Sequence, residues 1–378
     1  MLRASLATLV AVLALAGTAD AATSAAQQLD QAMVKLVAMP GGPAGAISVV
    51  QQGHKRTVHR AGVGDKRGRT PIRSTDHMRM ASTSKAFSGA VALSLVDQGM
   101  LSLDDTIAQR LPSLPAAWGS VNLRQLLDHT SGLPDFSAAK AYLTTLGRTP
   151  HKLFLPHATL LSFVAGDPLT FAPGTQFRYS NSDNIVVALM AEQATGQRYA
   201  ALLASLVFGP LGLNSTSLPD GFRLPAPYIH GYDNEGNNPE DLSTAISMSA
   251  VWASGGMVSS PIDANEFVRG YVGRKLFGQA TQDQQLQLVD GHSEPTGPGA
   301  NRAGAGIFQY RTRCGTVYGH TGNFPGYTQF MAATLDGTRS VTFSINEQLD
   351  PNNFAKGQAK VFRALRQTEE TAVCAALG

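Results

Sequence analysis

The spacing of apolar residues changes along the chain, and each change predicts a different kind of element. Residues 22–38 carry apolar positions near a helical period, which predicts a first helix. Residues 46–50 and 57–63 have the composition of two strands on either side of a turn at Gly53, which predicts a strand hairpin. We therefore expect the chain to begin with a helix followed by two paired strands.

A long helical region follows, and strand-like alternation returns near the end. Residues 78–99 predict a helix that Gly99 ends, and residues 103–218 keep a helical pattern interrupted by prolines. Residues 278–303 are polar and contain two prolines, which predicts a long surface loop. The remaining predicted elements are strands at 306–311, 316–320, 329–335 and 340–346, and a helix at 354–377.

Strands at both ends of the chain around a helical middle predict an α+β fold. We assign residues 22–80 and 250–378 to a sheet domain and residues 81–249 to an inserted all-helical domain. Functional sites commonly form where two such lobes meet, so we expect the active site at this interface.

The net charge of the chain limits the classes of function that it can have. The 378 residues include 30 basic and 27 acidic side chains, which give a net charge of +3. This excess is too small and too dispersed for a nucleic-acid-binding surface. We therefore expect a globular protein that does not bind nucleic acid.

Residues 1–21 have the features of a secretory signal peptide. A positive start at Arg3 precedes an apolar run, and Ala19-Asp20-Ala21 resembles a cleavage site. We expect a secreted or periplasmic protein without a transmembrane anchor in its mature chain. In that oxidising setting Cys314 and Cys374 are predicted to form a disulfide, two buried free thiols being the alternative.

The first candidate for chemistry is Ser82-Thr83-Ser84-Lys85, at the start of a predicted helix. One helical turn separates Ser82 from Lys85, so the lysine nitrogen can reach the serine oxygen. A serine hydroxyl needs a base to become a good nucleophile, and a buried lysine with a lowered pKa can serve. Ser137 and Lys140 have the same spacing, so this pattern needs partners.

Two further segments can complete the site. Tyr179 can share a proton with the serine–lysine pair, and Asn181 can hold the lysine or a substrate amide. A second Tyr-x-Asn pattern at Tyr232 and Asn234 lies in a glycine-rich loop with no helix after it. We therefore favour the first copy.

The other segment is His320-Thr321-Gly322-Asn323, at the end of a predicted strand. We expect the Asn323 and Ser82 amides to form an oxyanion hole, with Gly322 allowing close approach of a substrate backbone. His320 and Thr321 add polar groups that can transfer protons or bind substrate. Thr321, Gly322, Asn323 and Trp252 are the predicted substrate-binding residues.

Together, Ser82-x-x-Lys85, Tyr179-x-Asn181 and His320-Thr321-Gly322 resemble the three motifs of the penicilloyl-serine hydrolases. This family includes class C β-lactamases, D-alanyl-D-alanine carboxypeptidases, esterases and D-amino-acid amidases. The resemblance implies a five-stranded antiparallel sheet flanked by the terminal helices, and an acyl-enzyme on Ser82 with Lys85 or Tyr179 as the base. It implies no metal and no cofactor, and the chain lacks His-Glu-x-x-His and Gly-x-Ser-x-Gly motifs.

Substrate choice stays open at this point. His-Thr-Gly resembles the carboxypeptidase branch, so we expect a D-alanyl-D-alanine carboxypeptidase acting on cell-wall stem peptides, with β-lactams as further ligands. The alternatives are an esterase, a D-aminopeptidase or amidase, and a non-catalytic wall-binding or penicillin-binding module. No motif identifies an arginine for a substrate carboxylate, although Arg311 and Arg313 lie nearby in sequence. We expect a monomer, and release of the acyl group to water or to a peptide amine is equally compatible with these motifs.

Overall fold

The computed structural model describes residues 24–148, 153–233, 240–349 and 358–378. The strands are β1 (Gly45–Gln52), β2 (Lys55–Asp65), β3 (Thr70–Pro71), β4 (Met78–Arg79), β5 (Tyr232–Asp233), β6 (Glu240–Asp241), β7 (Val258–Ser259), β8 (Val289–Asp290), β9 (Ala300–Gly304), β10 (Ile307–Thr312), β11 (Gly315–Phe324), β12 (Tyr327–Ala333) and β13 (Arg339–Ile345). The α-helices are α1 (Ala25–Val37), α2 (Ser84–Asp97), α3 (Ile107–Arg110), α4 (Leu123–Leu127), α5 (Lys140–Arg148), α6 (Asn181–Thr195), α7 (Tyr199–Leu203), α8 (Gly209–Leu211), α9 (Trp252–Gly255), α10 (Pro261–Val272), α11 (Gln279–Gln285) and α12 (Gln358–Leu377). Short 3₁₀ helices include Ala81–Thr83 and Phe136–Ala138.

The α+β class is confirmed, but the predicted count of five strands is wrong. Within the described ranges nine antiparallel strands form one sheet, in the order β3-β2-β1-β13-β12-β11-β10-β9-β8. β3 and β8 have two residues each, too few to show an alternating pattern. β9 consists of Ala, Asn, Arg and Gly, residue types with low strand propensity, and it becomes a strand by pairing with β10. This strand and α11 also correct the prediction of one long loop over residues 278–303.

Alternation along the central strands separates two apolar layers. On β12, Phe330 packs in a cluster with Leu29 of α1 and Leu365 of α12. The next residue, Met331, belongs to the other cluster, which contains Phe267 of α10. Successive strand side chains point to opposite faces, so one strand contributes to both layers. The sheet is therefore covered by the terminal helices on one face and by α10 on the other.

Helix α2 connects the sheet to the helix-rich part of the chain. Residues 84–95 are all buried. The Phe87 ring stacks on Phe267 with 3.5 Å between centroids and meets Phe208 edge-on at 6.3 Å. This packing on all sides holds the start of α2 at the junction between the sheet and the helices.

The predicted disulfide is present and ties the sheet to the last helix. Cys314, in the turn between β10 and β11, is bonded to Cys374 of α12, with 5.2 Å between their Cα atoms. Across the described residues, we find no helix whose length and apolar character would let it cross a membrane.

Candidate active site

Ser82 and Lys85 lie together where the 3₁₀ turn Ala81–Thr83 continues into α2. The Lys85 ammonium donates to Ser82 Oγ at 3.2 Å, to Asn181 Oδ1 at 2.7 Å and to the Ser254 carbonyl at 2.7 Å. Three acceptors hold this nitrogen, and one of them is the candidate nucleophile. The predicted pair is therefore brought within hydrogen-bonding distance.

Burial decides the proton affinity of Lys85. The side chain is 1% exposed. Burial lowers the pKa of Lys85 to about 7, although the carboxylates of Asp135, Glu294 and Asp183 raise it in the opposite direction. A substantial fraction of Lys85 is then neutral near pH 7 and can accept a proton from Ser82.

The second Ser-x-x-Lys pattern has a different environment. Ser137 lies in the 3₁₀ turn Phe136–Ala138, and Lys140 is exposed at the start of α5. Ser137 Oγ donates to Asp135 Oδ1 at 2.9 Å and accepts from Asn181 Nδ2 at 2.9 Å. Ser137 therefore contacts the site through Asn181, while Lys140 lacks the burial that characterises Lys85.

Tyr179 and Asn181 are positioned by the beginning of α6. Ser180 caps this helix by accepting a hydrogen bond from the Ser182 amide at 3.3 Å, and Asn181 is the first helical residue. The Tyr179 ring centroid lies 4.9 Å from Lys85 Nζ. The second Tyr-x-Asn pattern is elsewhere: the Tyr232 hydroxyl accepts from the Lys66 amide at 2.8 Å, and Asn234 lies outside the described residues.

The Tyr179 hydroxyl oxygen is buried, although its ring is partly exposed. Burial raises the pKa of Tyr179 well above its ordinary value, and the nearby Ser82 side chain lowers it by a smaller amount. The hydroxyl therefore keeps its proton near neutral pH. It is suited to donate a proton, whereas Lys85 is suited to accept one.

The loop after α4 holds the first turn of α6. His129 Nδ1 lies 2.7 Å from Asp183 Oδ2, and Ser131 Oγ donates to Asp183 Oδ1 at 2.5 Å. The His129 ring also packs against Tyr179, with centroids 4.4 Å apart. Burial lowers the pKa of His129 to about 3, so its ring is neutral. This buried cluster supports Tyr179 from behind.

His320 and Thr321 are successive residues of β11, and the His320 ring lies near that of Tyr179, with 6.5 Å between the ring centroids. His320 Nδ1 is 2.6 Å from the Thr321 carbonyl, and burial lowers the pKa of His320 to about 3. A neutral imidazole cannot bind a carboxylate by charge. The Thr321 hydroxyl donates to the Pro295 carbonyl at 2.6 Å, so it holds the loop before β9 against the site.

Gly322 allows the backbone of the nucleophile segment to approach β11. A Cβ atom on Gly322 would meet the Ser82 amide nitrogen at 2.9 Å and the Met80 carbonyl at 2.8 Å. The close approach that was expected for a substrate is therefore made by the protein's own chain. Ala81, just before Ser82, has a φ of +52°, a strained conformation of the kind that clusters at active sites.

The side chains of Asn323 and Trp252 are both engaged within the protein. Asn323 Oδ1 accepts from Thr328 Oγ1 at 3.0 Å, and its Nδ2 donates to the Leu349 carbonyl at 3.1 Å. Only its backbone amide then remains a candidate for contact with a substrate. Trp252 was predicted to bind substrate, but it is 2% exposed and stacks on His157 with centroids 4.2 Å apart. Its ring therefore does not line an open cleft.

Sequence reasoning missed three groups around Lys85. The Ser254 carbonyl is a backbone group and leaves no signal in the sequence. Asp135 accepts from Asn181 Nδ2 at 3.0 Å, and Glu294 lies in the loop before β9, close enough for its charge to act on Lys85. Only the tertiary fold brings these two carboxylates to Lys85. In the described ranges, no group of three or more His, Cys, Asp or Glu side chains forms a candidate metal site.

The family model described as Beta-lactamase matches residues 29–365. Penicillin-binding protein 4* of Bacillus subtilis is 23% identical over 308 residues, which are 77% of this chain and 65% of that protein. The D-aminopeptidase of Brucella canis is 33% identical over 181 residues, which are 47% of this chain and 34% of that protein. The chain thus spans less than two thirds of the length of these curated relatives.

Solved structures share the fold over nearly the whole chain. The D-amino acid amidase from Ochrobactrum anthropi SV3, complexed with L-phenylalanine amide, matches with a TM-score of 0.80 and 22% identity, covering 92% of this chain and 98% of that one. A D-stereospecific amidohydrolase from Streptomyces sp. matches with a TM-score of 0.75 and 24% identity, covering 89% of this chain and 97% of that one.

Proposed function

The chain belongs to the β-lactamase family of serine hydrolases, and on that premise we propose that it cleaves amide bonds of D-amino acids through an acyl-enzyme on Ser82. The observation that carries the proposal is the contact between Lys85 and Ser82: the two atoms are 3.2 Å apart, and burial lowers the pKa of Lys85 to about 7. A nucleophile and its base are thus present at neutral pH.

The reaction proceeds in two steps, acylation of Ser82 and hydrolysis of the resulting ester. Ser82 Oγ attacks the substrate carbonyl carbon and forms a C–O bond with it, while the serine proton passes to neutral Lys85. The C–N bond then breaks, and the Tyr179 hydroxyl gives a proton to the leaving amine and regains one from Lys85. Water next attacks the ester carbonyl and gives a proton to neutral Lys85. The C–O bond to Ser82 then breaks, Ser82 Oγ takes that proton back from Lys85, and the acid leaves. The Ser82 and Asn323 amides stabilise the oxyanion in both steps.

The charges near Lys85 favour a substrate with a free ammonium group. Asp135 and Glu294 are both carboxylates that act on this lysine. The arginines considered for a substrate carboxylate are remote from the motif or engaged: Arg311 pairs with Thr316 on β11, five residues from Thr321, which is roughly 16 Å along a strand. Arg313 contacts Glu370 at 3.3 Å. These placements support a D-aminopeptidase or amidase over the carboxypeptidase expected from His-Thr-Gly.

A carboxypeptidase acting on D-alanyl-D-alanine peptides is the second candidate. It is favoured by the similarity to a penicillin-binding protein over 77% of the chain. The two candidates differ in the charge that they recognise, because one binds an amino terminus and the other binds a carboxyl terminus.

A matched panel of substrates tests both candidates. We expect D-alanine p-nitroanilide to be cleaved faster than L-alanine p-nitroanilide and faster than N-acetyl-D-alanine p-nitroanilide. Ser82→Ala should abolish turnover and the covalent adduct with a β-lactam, as seen by intact-protein mass spectrometry. Preferential release of D-alanine from N-acetyl-D-alanyl-D-alanine would favour the carboxypeptidase instead, and an adduct that survives Ser82→Ala would refute the assignment of the nucleophile.

We further propose that residues 1–21 direct export, as their sequence pattern indicates. These residues lie outside the described ranges. Expression with and without them, followed by fractionation of the host cells, tests the proposal. Retention of the full chain in the cytoplasm, with no shortening at Ala21, would contradict it.

A further inference from the structure

The side-chain amide of Asn181 makes three hydrogen bonds, and its partners determine which way it faces. Its Nδ2 donates to Asp135 Oδ2 at 3.0 Å and to Ser137 Oγ at 2.9 Å. Its Oδ1 accepts from Lys85 Nζ at 2.7 Å. Both amide hydrogens and the amide oxygen therefore have partners, which makes three of the four hydrogen bonds that an asparagine side chain can form.

The chemistry of Asp135 allows only one of the two amide orientations. A carboxylate accepts hydrogen bonds and cannot donate them, so the Asn181 NH₂ group must face Asp135. The Ser137 hydroxyl and amide both donate to Asp135 Oδ1, at 2.9 and 2.8 Å, which leaves the lone pairs of that hydroxyl to face Asn181. A flipped Asn181 would place its oxygen against a carboxylate and its NH₂ group against the Lys85 ammonium.

We propose that Asp135, supported by Ser137, is a positioning residue that fixes the orientation of Asn181 and through it holds Lys85 against Ser82. The inference rests on the proposed acylation of Ser82. It also gives a role to Ser137, whose spacing to Lys140 made it a candidate nucleophile in the sequence.

Asp135 acts on Lys85 in two ways, by orienting Asn181 and by its charge. The titratable side chains that face Lys85 come from several elements; they are Asp135 before the 3₁₀ turn, Tyr179 and Asp183 at the start of α6, His129 after α4, Glu294 before β9 and His320 on β11. Among the charges that raise the pKa of Lys85, that of Asp135 has the largest effect. Loss of the Asp135 carboxylate therefore lowers the pKa of Lys85 further.

The two effects can be separated by the pH dependence of acylation. An uncharged alkyl fluorophosphonate is a suitable probe: Ser82 Oγ forms a P–O bond, fluoride leaves, and the serine proton goes to Lys85. The labelling rate is followed by intact-protein mass spectrometry between pH 5 and pH 9. Below the pKa of Lys85 the rate rises with pH, and above it the rate reaches a plateau.

Asp135→Asn should change both parts of this profile. The rising part should shift to lower pH by roughly one unit, because the loss of a neighbouring negative charge lowers the pKa of Lys85. The plateau should fall by roughly tenfold or more, because the Asn181 amide loses its fixed orientation. Ser137→Ala should lower the plateau by about threefold and leave the rising part in place, because no charge changes.

Two further variants complete the design. Glu294→Gln should move the rising part in the same direction as Asp135→Asn, with a smaller loss of plateau rate, because it removes a charge near Lys85 and leaves Asp135 to orient Asn181. Asp104→Asn removes an exposed carboxylate of the helix-rich region and should keep the wild-type profile. Circular dichroism and thermal unfolding of each variant report whether it is folded.

The outcomes distinguish this inference from the proposed function. Wild-type plateaus in both Asp135→Asn and Ser137→Ala would overturn the positioning role. A shifted rising part with an unchanged plateau in Asp135→Asn would mean that Asp135 acts on Lys85 only through its charge. That result would also overturn the positioning role. Absence of Ser82 labelling in the wild-type protein would instead overturn the proposed function itself. If Asp135→Asn fails to fold, the plateau rate of Ser137→Ala tests the positioning role: a lower plateau supports it, and a wild-type plateau overturns it.

Discussion

Burial and contact give individual residues of this site properties that their side chains lack in water. Lys85 is the main example, because burial lowers its pKa to about 7 while Tyr179 nearby has a raised pKa. The same low-polarity surroundings thus favour the neutral form of both groups. One becomes a proton acceptor at neutral pH and the other stays a proton donor.

The pKa of Lys85 predicts the pH dependence of acylation. Lys85 is mostly protonated below its pKa of about 7, so the rate of Ser82 labelling should fall about tenfold per pH unit there and level off above it. Lys85→Ala should lower the plateau by about a hundredfold or more. Lys140→Ala is the matched control, since it removes the exposed lysine of the second pattern and should leave the profile unchanged. Near-normal labelling of Lys85→Ala would identify Tyr179 as the base.

Gly322 provides a second prediction for a single residue. In Gly322→Ala the new methyl group would meet the Ser82 amide at 2.9 Å and push β11 away from the nucleophile. We expect kcat/KM to fall by about tenfold or more and the free energy of unfolding to fall by about 1–3 kcal/mol. Gly147→Ala, where nothing lies within 4 Å of the added atom, is the control for kinetics and thermal unfolding. Unchanged kinetics in Gly322→Ala would show that the approach of β11 has no catalytic role.

At the scale of elements, α2 is held at the junction by aromatic packing. Its Phe87 ring lies 3.5 Å from that of Phe267 in α10 and has no exposed surface. Sequence periodicity predicted the helix. It could not identify Phe267 as the partner, because the two residues are distant in the chain.

Phe87→Ala tests this packing. Removal of a buried phenylalanine leaves a cavity, so the free energy of unfolding measured in urea should fall by about 3–5 kcal/mol. Phe154→Ala is the matched control, because Phe154 is 59% exposed and its loss should change stability by less than about 0.5 kcal/mol. A small effect of Phe87→Ala would mean that other contacts hold α2 in place.

At the scale of the molecule, the sheet is joined to the last helix by a covalent bond. The Cys314–Cys374 disulfide closes a loop of 60 residues. A cross-link of this kind restricts the unfolded chain and so stabilises the folded one.

The double variant Cys314→Ala and Cys374→Ala should be less stable by about 2–4 kcal/mol in urea unfolding. Its stability should not respond to reductant, whereas the wild-type protein should lose a similar amount when reduced. Equal stability of the variant and the oxidised wild-type protein would contradict the prediction. Turnover should change little at 25 °C, because Cys314 lies just before the start of β11, six residues from His320, which is roughly 20 Å along a strand.

The sequence alone determined the α+β class, the main helices and long strands, the cysteine pair and the motifs around Ser82, Tyr179 and His320. These features depend on local periodicity or on residue types at short spacing, which a chain displays directly. The sequence did not predict the strands β3, β8 and β9, because their pairing is decided by neighbouring strands. The helix start and the two partner motifs already favoured Ser82 over Ser137, and the tertiary structure added the burial of Lys85 that distinguishes the two patterns. It also brought Asp135, the Ser254 carbonyl and Glu294 to Lys85, since groups that meet across the fold leave no pattern along the chain.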